Sequence, residues 1–270
     1  MQDRIEKLRN IISQLVTISS EPIVAISGGI DSTTLSAFIS KEVNKRLNVA
    51  HAISPAVPIE ATNRVKILSK KYNWKLHILS AGEMRDKNYT SNPINRCFYC
   101  KTNLYSSIGS KLNGQILSGA NLDDLQDFRP GLKAAENSFV RHPFIESQIG
   151  KKEIRVLANT LGLKDISELP ASPCLSSRIQ TGINITSDLL KKIDRVERKI
   201  KNVVPNADVR CRWLNKGITI EFNKPNLEQI NDKYKTQIIN FTEEIFKISK
   251  NLITMKKYKM GSAFIKKQRV

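Results

Sequence analysis

Ser27-Gly28-Gly29-Ile30-Asp31-Ser32-Thr33 directly follows Ile23-Val24-Ala25-Ile26, a short apolar run preceded by Pro22. Two glycines at such a point let a backbone approach an anion and aim its N–H groups at it. A helix starting there adds favourable potential. Ser27, Ser32 and Thr33 offer hydroxyl donors to phosphate oxygens. Asp31 would repel bare pyrophosphate, so its use is as a ligand to a bridging Mg²⁺. The stretch lacks the lysine and the spacing of a Walker A loop. A Gly-Gly pair alone also suits an ordinary strand–helix turn; the two serines, Asp31 and the apolar run together favour the phosphate reading.

Four cysteines stand at 97, 100, 174 and 211. Cys97 and Cys100 form a Cys-x-x-Cys pair, able to share a metal or to cycle as a redox pair, and equally able to be two small packing residues. Cys174 lies in the Pro-rich stretch Pro170–Arg178. Three cysteines can hold a 4Fe–4S cluster by three irons, leaving the fourth open. A closed zinc site usually takes four ligands, and His51, His77 and His142 lack metal-binding spacing. Arg96, Lys101 and Arg178 flank the cysteines and favour thiolate. Cys211, in an expected strand, reads as a packing residue. A further polar block, Ser118–Gly131, carries Asp123, Asp124, Asp127 and Arg129, which could share Mg²⁺ and neutralise a triphosphate.

The elements that must position these residues alternate. Amphipathic spacing predicts a helix over 1–19, and strands are expected at 23–26, 47–53, 75–79 and 115–118. Helices are expected at 33–45, 58–72 and 99–112. Short buried strands alternating with helices imply an α/β fold, a doubly wound parallel sheet. After residue 182 the pattern changes to a charged helix (187–201), a hairpin (209–213 and 217–222), a helix (226–249) and a strand (252–258). The expected organisation is a domain over 1–182 and a smaller α+β domain over 183–270 for substrate binding or assembly.

The 270 residues are 40% hydrophobic and 26% charged, which excludes disordered and collagen-like classes. The apolar runs are far short of the roughly 18–20 residues of a membrane span, and the charged amino terminus has no signal-type stretch. The expectation is a cytoplasmic protein without a membrane partner. Net charge is +19; residues 181–270 hold 20 basic and 9 acidic side chains and are about three times as basic per residue as the rest. That excess suits a polyanion, a phosphorylated substrate or simple solubility.

Ser27–Ser32 resembles the PP-loop of the ATP pyrophosphatases, which cleave ATP between its α and β phosphates. Ser118–Gly131 is similar to a Gly-x-Asn-x-Asp-Asp-x-x-Asp-x-Arg-Pro-Gly block of one branch of that superfamily. With Arg96-Cys97-x-x-Cys100-Lys101 and Cys174-Leu-Ser-Ser-Arg178 in this order, the chain resembles the LarE family from about residue 20 to 185. The likeness is weaker through Arg210-Cys211-Arg212 and Ile220-Glu221 to 258–262. LarE proteins are ATP-dependent sulfurtransferases that build the pincer ligand of the nickel cofactor of lactate racemase.

The resemblance implies a Rossmann-like fold and ATP with Mg²⁺ as cofactors, held by Ser27, Gly28, Gly29, Asp31, Ser32, Gly119, Asn121, Asp123, Asp124 and Arg129. ATP would adenylate a carboxylate of pyridinium-3,5-biscarboxylic acid mononucleotide, a small nucleotide, and sulfur would displace AMP. The presence of Cys97, Cys100 and Cys174 points to the branch whose sulfur rides a 4Fe–4S cluster; in another branch the cysteine at the position of Cys174 gives up its own sulfur. Cys174 and Asp31 take the catalytic roles. Arg178, Arg210 and Arg212 are expected on the substrate phosphate, with Arg96 and Lys101 beside the substrate; a solvated strand edge is the plainer use of Arg210 and Arg212. The family also tends to form homo-oligomers. Three departures touch the substrate side: Arg178–Gly182 lacks the usual Pro-Tyr, His142 replaces a common Ser, and 255–259 has lost an Asp-Leu-x-Gly-Tyr-Arg stretch. A tRNA-thiolating PP-loop enzyme is the alternative; the scattered basic residues and few interleaved aromatics argue against nucleic acid. An amide-forming ligase related to NAD synthetase is a second alternative and leaves the cysteines unused.

Overall fold

A computed structural model describes residues 1–18, 21–43, 46–126, 128–170, 173–204, 207–223, 227–228, 230–259 and 262–263. Some expectations touch positions outside these: the ends of the helices over 1–19 and 33–45, Asp127, part of the 170–178 stretch, the start of the helix at Asn226, and 260–261. The chain divides into two compact units, one of Met1–Glu83 with Cys97–Ser172, the other of Met84–Arg96 with Pro173–Val270.

The first unit is an α/β fold around a four-stranded parallel sheet. Its strands are β1 (Ile23–Ala25), β2 (Asn48–Ala52), β3 (Lys75–Leu79) and β4 (Ile116–Ser118), in the order β3-β2-β1-β4. β1 pairs with Asn48–Ala50 on one side and with Ile116–Ser118 on the other. Because successive strand side chains point to opposite faces, Val24, Val49 and Leu117 enter one core while Ile23, Ala50 and Ile116 enter another. The first core takes Leu8, Ile12 and Leu15 of α1 (Gln2–Ile18) and Leu35, Phe38 and Ile39 of α2 (Ile30–Glu42). It also takes Val65 and Leu68 of α3 (Ile59–Lys71). The second takes Tyr105 and Ile108 of the helix Arg96–Gly109 and Ala135 of the helix Pro130–Asn137. Both faces of the sheet are therefore covered, and this arrangement is consistent with a Rossmann-like fold.

The chain winds outward from β1 to β3 and returns to place β4 on the other side of β1. That reversal creates a crevice at the carboxyl ends of β1 and β4, where open α/β sheets bind ligands.

The second unit holds a three-stranded sheet of β5 (Val209–Leu214), β6 (Gly217–Phe222) and β7 (Ile253–Lys257). β5 and β6 form an antiparallel hairpin and β7 adds parallel to β6. The helix Ser187–Val203 is capped by Thr186, whose hydroxyl accepts from the Leu189 N–H, and buries Leu190, Ile193, Val196, Glu197 and Ile200 along one stripe. The helix Asp232–Phe246 is capped by Asn231 and ends at Lys247 in the left-handed region. Met84–Arg96 joins this unit: Tyr89 hydrogen-bonds Ser176, and Asn92 donates to the carbonyls of Gln180 and Ile183. No helix among the described residues is long and apolar enough to cross a membrane.

Candidate functional site

The turn after β1 is shaped by its own hydroxyls. Ser32 Oγ accepts from the Ser27 N–H at 3.1 Å and lies 3.1 Å from Ser27 Oγ, which accepts from the Gly29 N–H at 3.3 Å. Gly28 has φ +80°, and a Cβ there would meet the Ala61 carbonyl oxygen at 2.7 Å, so the position requires glycine twice over. The Gly28 carbonyl accepts from Arg64 Nη1 at 2.8 Å. Gly29, extended and without a side-chain cap, opens α2, a helix of 13 residues whose first N–H groups border the turn. Behind the turn, buried His51 donates from Nδ1 to the Ile26 carbonyl at 2.9 Å, and Nε2 lies 3.0 Å from the Thr62 hydroxyl. Burial, with a smaller push from Lys66, holds His51 below the ordinary imidazole range despite the Ile26 carbonyl.

The block after β4 folds against this turn. A Cβ on Gly119 would stand 2.5 Å from the Ser32 nitrogen and 2.8 Å from the Asp31 carbonyl carbon. Asn121 Oδ1 accepts from the Asp123 N–H, and Asp124 returns a carboxylate oxygen to the Asn121 N–H, both at 3.1 Å. Arg129 pairs with Asp124 at 3.0 Å. At the end of the block, Gly131 lets the helix Pro130–Asn137 approach the helix Arg96–Gly109: a Cβ there would touch the Lys101 side chain at 3.0 Å and the Cys97 carbonyl at 3.6 Å. One loop thus reaches from the glycine turn to the cysteine helix. Cys97 and Cys100 sit one turn apart at the start of that helix, the first exposed and the second half-buried. His142 Nδ1 is 2.7 Å from Ser118 Oγ.

A group absent from the sequence expectations completes the site. Lys151 Nζ lies 2.6 Å from both Asp31 carboxylate oxygens, and the Lys151 N–H donates to Asp123 Oδ2 at 2.6 Å. Burial raises the Asp31 pKa above its ordinary value; Lys151 opposes that shift and the Asp124 charge adds to it. The available signal was Gly150-Lys151 at the start of a helical stretch (Lys151–Thr160), a glycine and a cation at a helix amino terminus.

Cys174 belongs to the second unit, half-buried at the start of the turn Leu175–Arg178. The four arginines expected to meet substrate are buried there with partners. Arg178 makes a two-pronged pair with Glu197 at 2.9 and 3.1 Å and donates to the Pro173 carbonyl at 2.7 Å. Arg212 pairs with Glu221 at 2.8 Å and donates to the Ser177 carbonyl. Arg210 pairs with Asp208 at 2.8 Å and stacks 4.2 Å from the Tyr258 ring. Arg96 donates to Asn92 at 2.6 Å. Neither Arg210 nor Arg212 is on a solvated edge. Burial works against the Arg178 charge, yet Glu197, with smaller help from Cys174 and Cys211, keeps its pKa above the ordinary value. Glu197 also accepts from the Cys211 N–H at 2.8 Å. Among the described residues no three His, Cys, Asp or Glu side chains are grouped as a ready metal site.

Whole-chain comparison places these motifs in a family. No family model matches. An uncharacterized protein of Synechocystis is 30% identical over 233 residues, 85% of either chain. An uncharacterized protein of Methanocaldococcus jannaschii is 31% identical over 231 residues, 84% of this chain and 87% of its own. The pyridinium-3,5-bisthiocarboxylic acid mononucleotide synthase of Lactiplantibacillus plantarum is 28% identical over 224 residues, 80% of each. The chain belongs to one family with the two uncharacterized proteins, and over four fifths of its length it is similar to the Lactiplantibacillus synthase. Of the blocks that carry the LarE resemblance, 27–32 and 118–131 lie in the first unit and 174–178 in the second, while the block 96–101 has Arg96 in the second unit and Cys97–Lys101 in the first.

Proposed function

We propose that the chain is an ATP-dependent sulfurtransferase acting on a carboxylate of pyridinium-3,5-biscarboxylic acid mononucleotide, for nickel-pincer cofactor synthesis. The observation that carries the reading is the close approach of Gly119 to Ser32, which sets Asp123 and Asp124 beside the glycine turn in the crevice between β1 and β4. Similarity to the Lactiplantibacillus pyridinium-3,5-bisthiocarboxylic acid mononucleotide synthase supports the substrate assignment.

A carboxylate is a poor electrophile, and AMP turns one of its oxygens into a leaving group. The α2 amino terminus and the Ser27 and Ser32 hydroxyls would receive the phosphates. Asp31, Asp123 and Asp124 are hard oxygen donors that suit Mg²⁺, which would supply charge neutralisation of the triphosphate. The substrate carboxylate oxygen attacks the α-phosphorus of ATP, pyrophosphate leaves, and the resulting acyl-adenylate loses AMP to a sulfur nucleophile, giving a thiocarboxylate.

The cysteine set suits iron–sulfur binding in its donor type. Cys97 and Cys100 are neighbouring thiols one helical turn apart, and Cys174 is accessible in the second unit. A 4Fe–4S cluster on these three would supply an open iron to hold the sulfur being transferred. Without a cluster, Cys174 would give its own sulfur. Arg178 and Arg212, buried and already paired with Glu197 and Glu221, would serve the site by holding the Pro173 and Ser177 carbonyls of the backbone around Cys174.

Protein purified anaerobically, with ATP, Mg²⁺ and the dicarboxylate mononucleotide, should release pyrophosphate and yield thiocarboxylate by mass spectrometry. About four irons per chain, lost in Cys97→Ala, identify the cluster route; colourless active protein with a Cys174 mass loss of H₂S identifies the sacrificial route. Thiolation of bulk tRNA in place of the mononucleotide would overturn the substrate assignment.

A further inference from the structure

The pair Asp31–Lys151 joins residues 120 apart in sequence beside the glycine turn of the first unit. The ammonium is equidistant, at 2.6 Å, from both oxygens of the carboxylate. The lysine main chain is anchored independently of its side chain. Its N–H is bound by Asp123 at 2.6 Å, and a Cβ on the preceding Gly150 would press to 3.3 Å from the same carboxylate. Glu153 accepts from the Gly150 N–H at 3.0 Å and is itself paired with Arg4 at 3.0 Å, so the start of this helix is anchored on two sides. Beyond that anchor runs a flexible four-carbon stem ending in a point charge, with about a third of the side chain exposed.

An ammonium bound to both oxygens occupies the bidentate position of Asp31, so a divalent cation taking that position must displace it. A free divalent ion must displace the lysine and leave it without an anion. A metal–triphosphate complex removes that penalty, because phosphate oxygens give the ammonium a new partner.

We infer that Lys151 is the resting counter-ion of the nucleotide site: it neutralises Asp31 when the site is empty, and it passes to the phosphates when a divalent cation takes its place. This rests on the nucleotide reading above. It makes metal and nucleotide binding mutually dependent, since each supplies what the other displaces.

Binding of Mn²⁺ to the full chain, followed by electron paramagnetic resonance with and without α,β-methylene-ATP, tests the exchange. Wild type should bind Mn²⁺ weakly alone and at least about tenfold more tightly with the analogue. Lys151→Met should bind Mn²⁺ alone about tenfold more tightly than wild type and the analogue about tenfold more weakly, because Asp31 is released and a phosphate partner is lost. Lys151→Arg, retaining the charge, should keep the weak nucleotide-free Mn²⁺ binding. Unchanged nucleotide-free Mn²⁺ affinity in Lys151→Met overturns the inference. Should that variant unfold, Lys151→Gln is read by the same criterion. Wild type that binds Mn²⁺ but no analogue overturns the nucleotide reading instead, and the nucleotide-free comparison still decides whether lysine and metal compete.

Discussion

Gly119 lies so close to Ser32 that a single methyl group on it would stand 2.5 Å from the Ser32 nitrogen. Two loops separated by more than 80 residues thus share a backbone contact that only glycine permits. Gly119→Ala should cost about 1–3 kcal/mol and weaken ATP binding, because the turn must shift to admit the methyl group. Gly28→Ala should do the same through the Ala61 carbonyl and its positive φ. Gly29→Ala, whose Cβ would meet only Ser27 Oγ at 3.4 Å, should stay within about 0.5 kcal/mol of wild type. Chemical denaturation of the three variants ranks them.

The Arg178–Glu197 pair, with side chains 4% and 7% exposed, has lost nearly all contact with water. Removing one partner leaves the other charge buried, so Glu197→Gln should destabilise the chain by about 3–5 kcal/mol. Removing both together, as Arg178→Met with Glu197→Leu, should cost less than the sum of the single changes. A double-mutant cycle in urea measures the difference; additive effects would show that the pair acts as two independent groups.

His51 should make the fold acid-sensitive. Its folded pKa lies below its unfolded value, so the unfolded chain takes up the proton first as pH falls through about 6.5. Stability is therefore complete above that pH and declines below it, by up to ~1.4 kcal/mol per pH unit, until the folded imidazole also protonates. Burial lowers the pKa of His142 too, against the pull of Glu146. Unfolding midpoints between pH 7.5 and 5 should fall less steeply in His51→Gln.

Cys211 is fully buried, and burial together with the Glu197 charge pushes its thiol pKa well above the ordinary value. Cluster-free native protein treated with a thiol reagent at pH 8 should be modified at Cys97, Cys100 and Cys174 first and at Cys211 only on unfolding. Peptide mapping of the labelled chain checks the order. Rapid labelling of Cys211 would show that the second unit opens readily.

Local chemistry made the elements readable. The apolar run at 23–26, the glycine turn and the alternation of short strands with helices prescribe a parallel α/β sheet, because each follows from residues close in sequence. Cys97 and Cys100 were legible as one pair for the same reason. The helix around them begins at Arg96 rather than 99, with Pro93 accepting from the Arg96 N–H. The inclusion of Met84–Arg96 in the second unit had no sequence signal, since it depends on Asn92 meeting carbonyls 88 and 91 residues away.

Arg178, Arg210 and Arg212 could be recognised as cations, but their carboxylate partners could not, because Glu197 and Glu221 look in sequence like ordinary solvent-facing acids. Lys151 was one lysine among many in a chain of net charge +19. Residue type and spacing determined which side chains could bind phosphate, metal or sulfur. Tertiary structure decided which charges confront one another, because ion pairing depends on a few ångströms of separation and on exclusion of water, and neither distance nor burial is written in the order of residues.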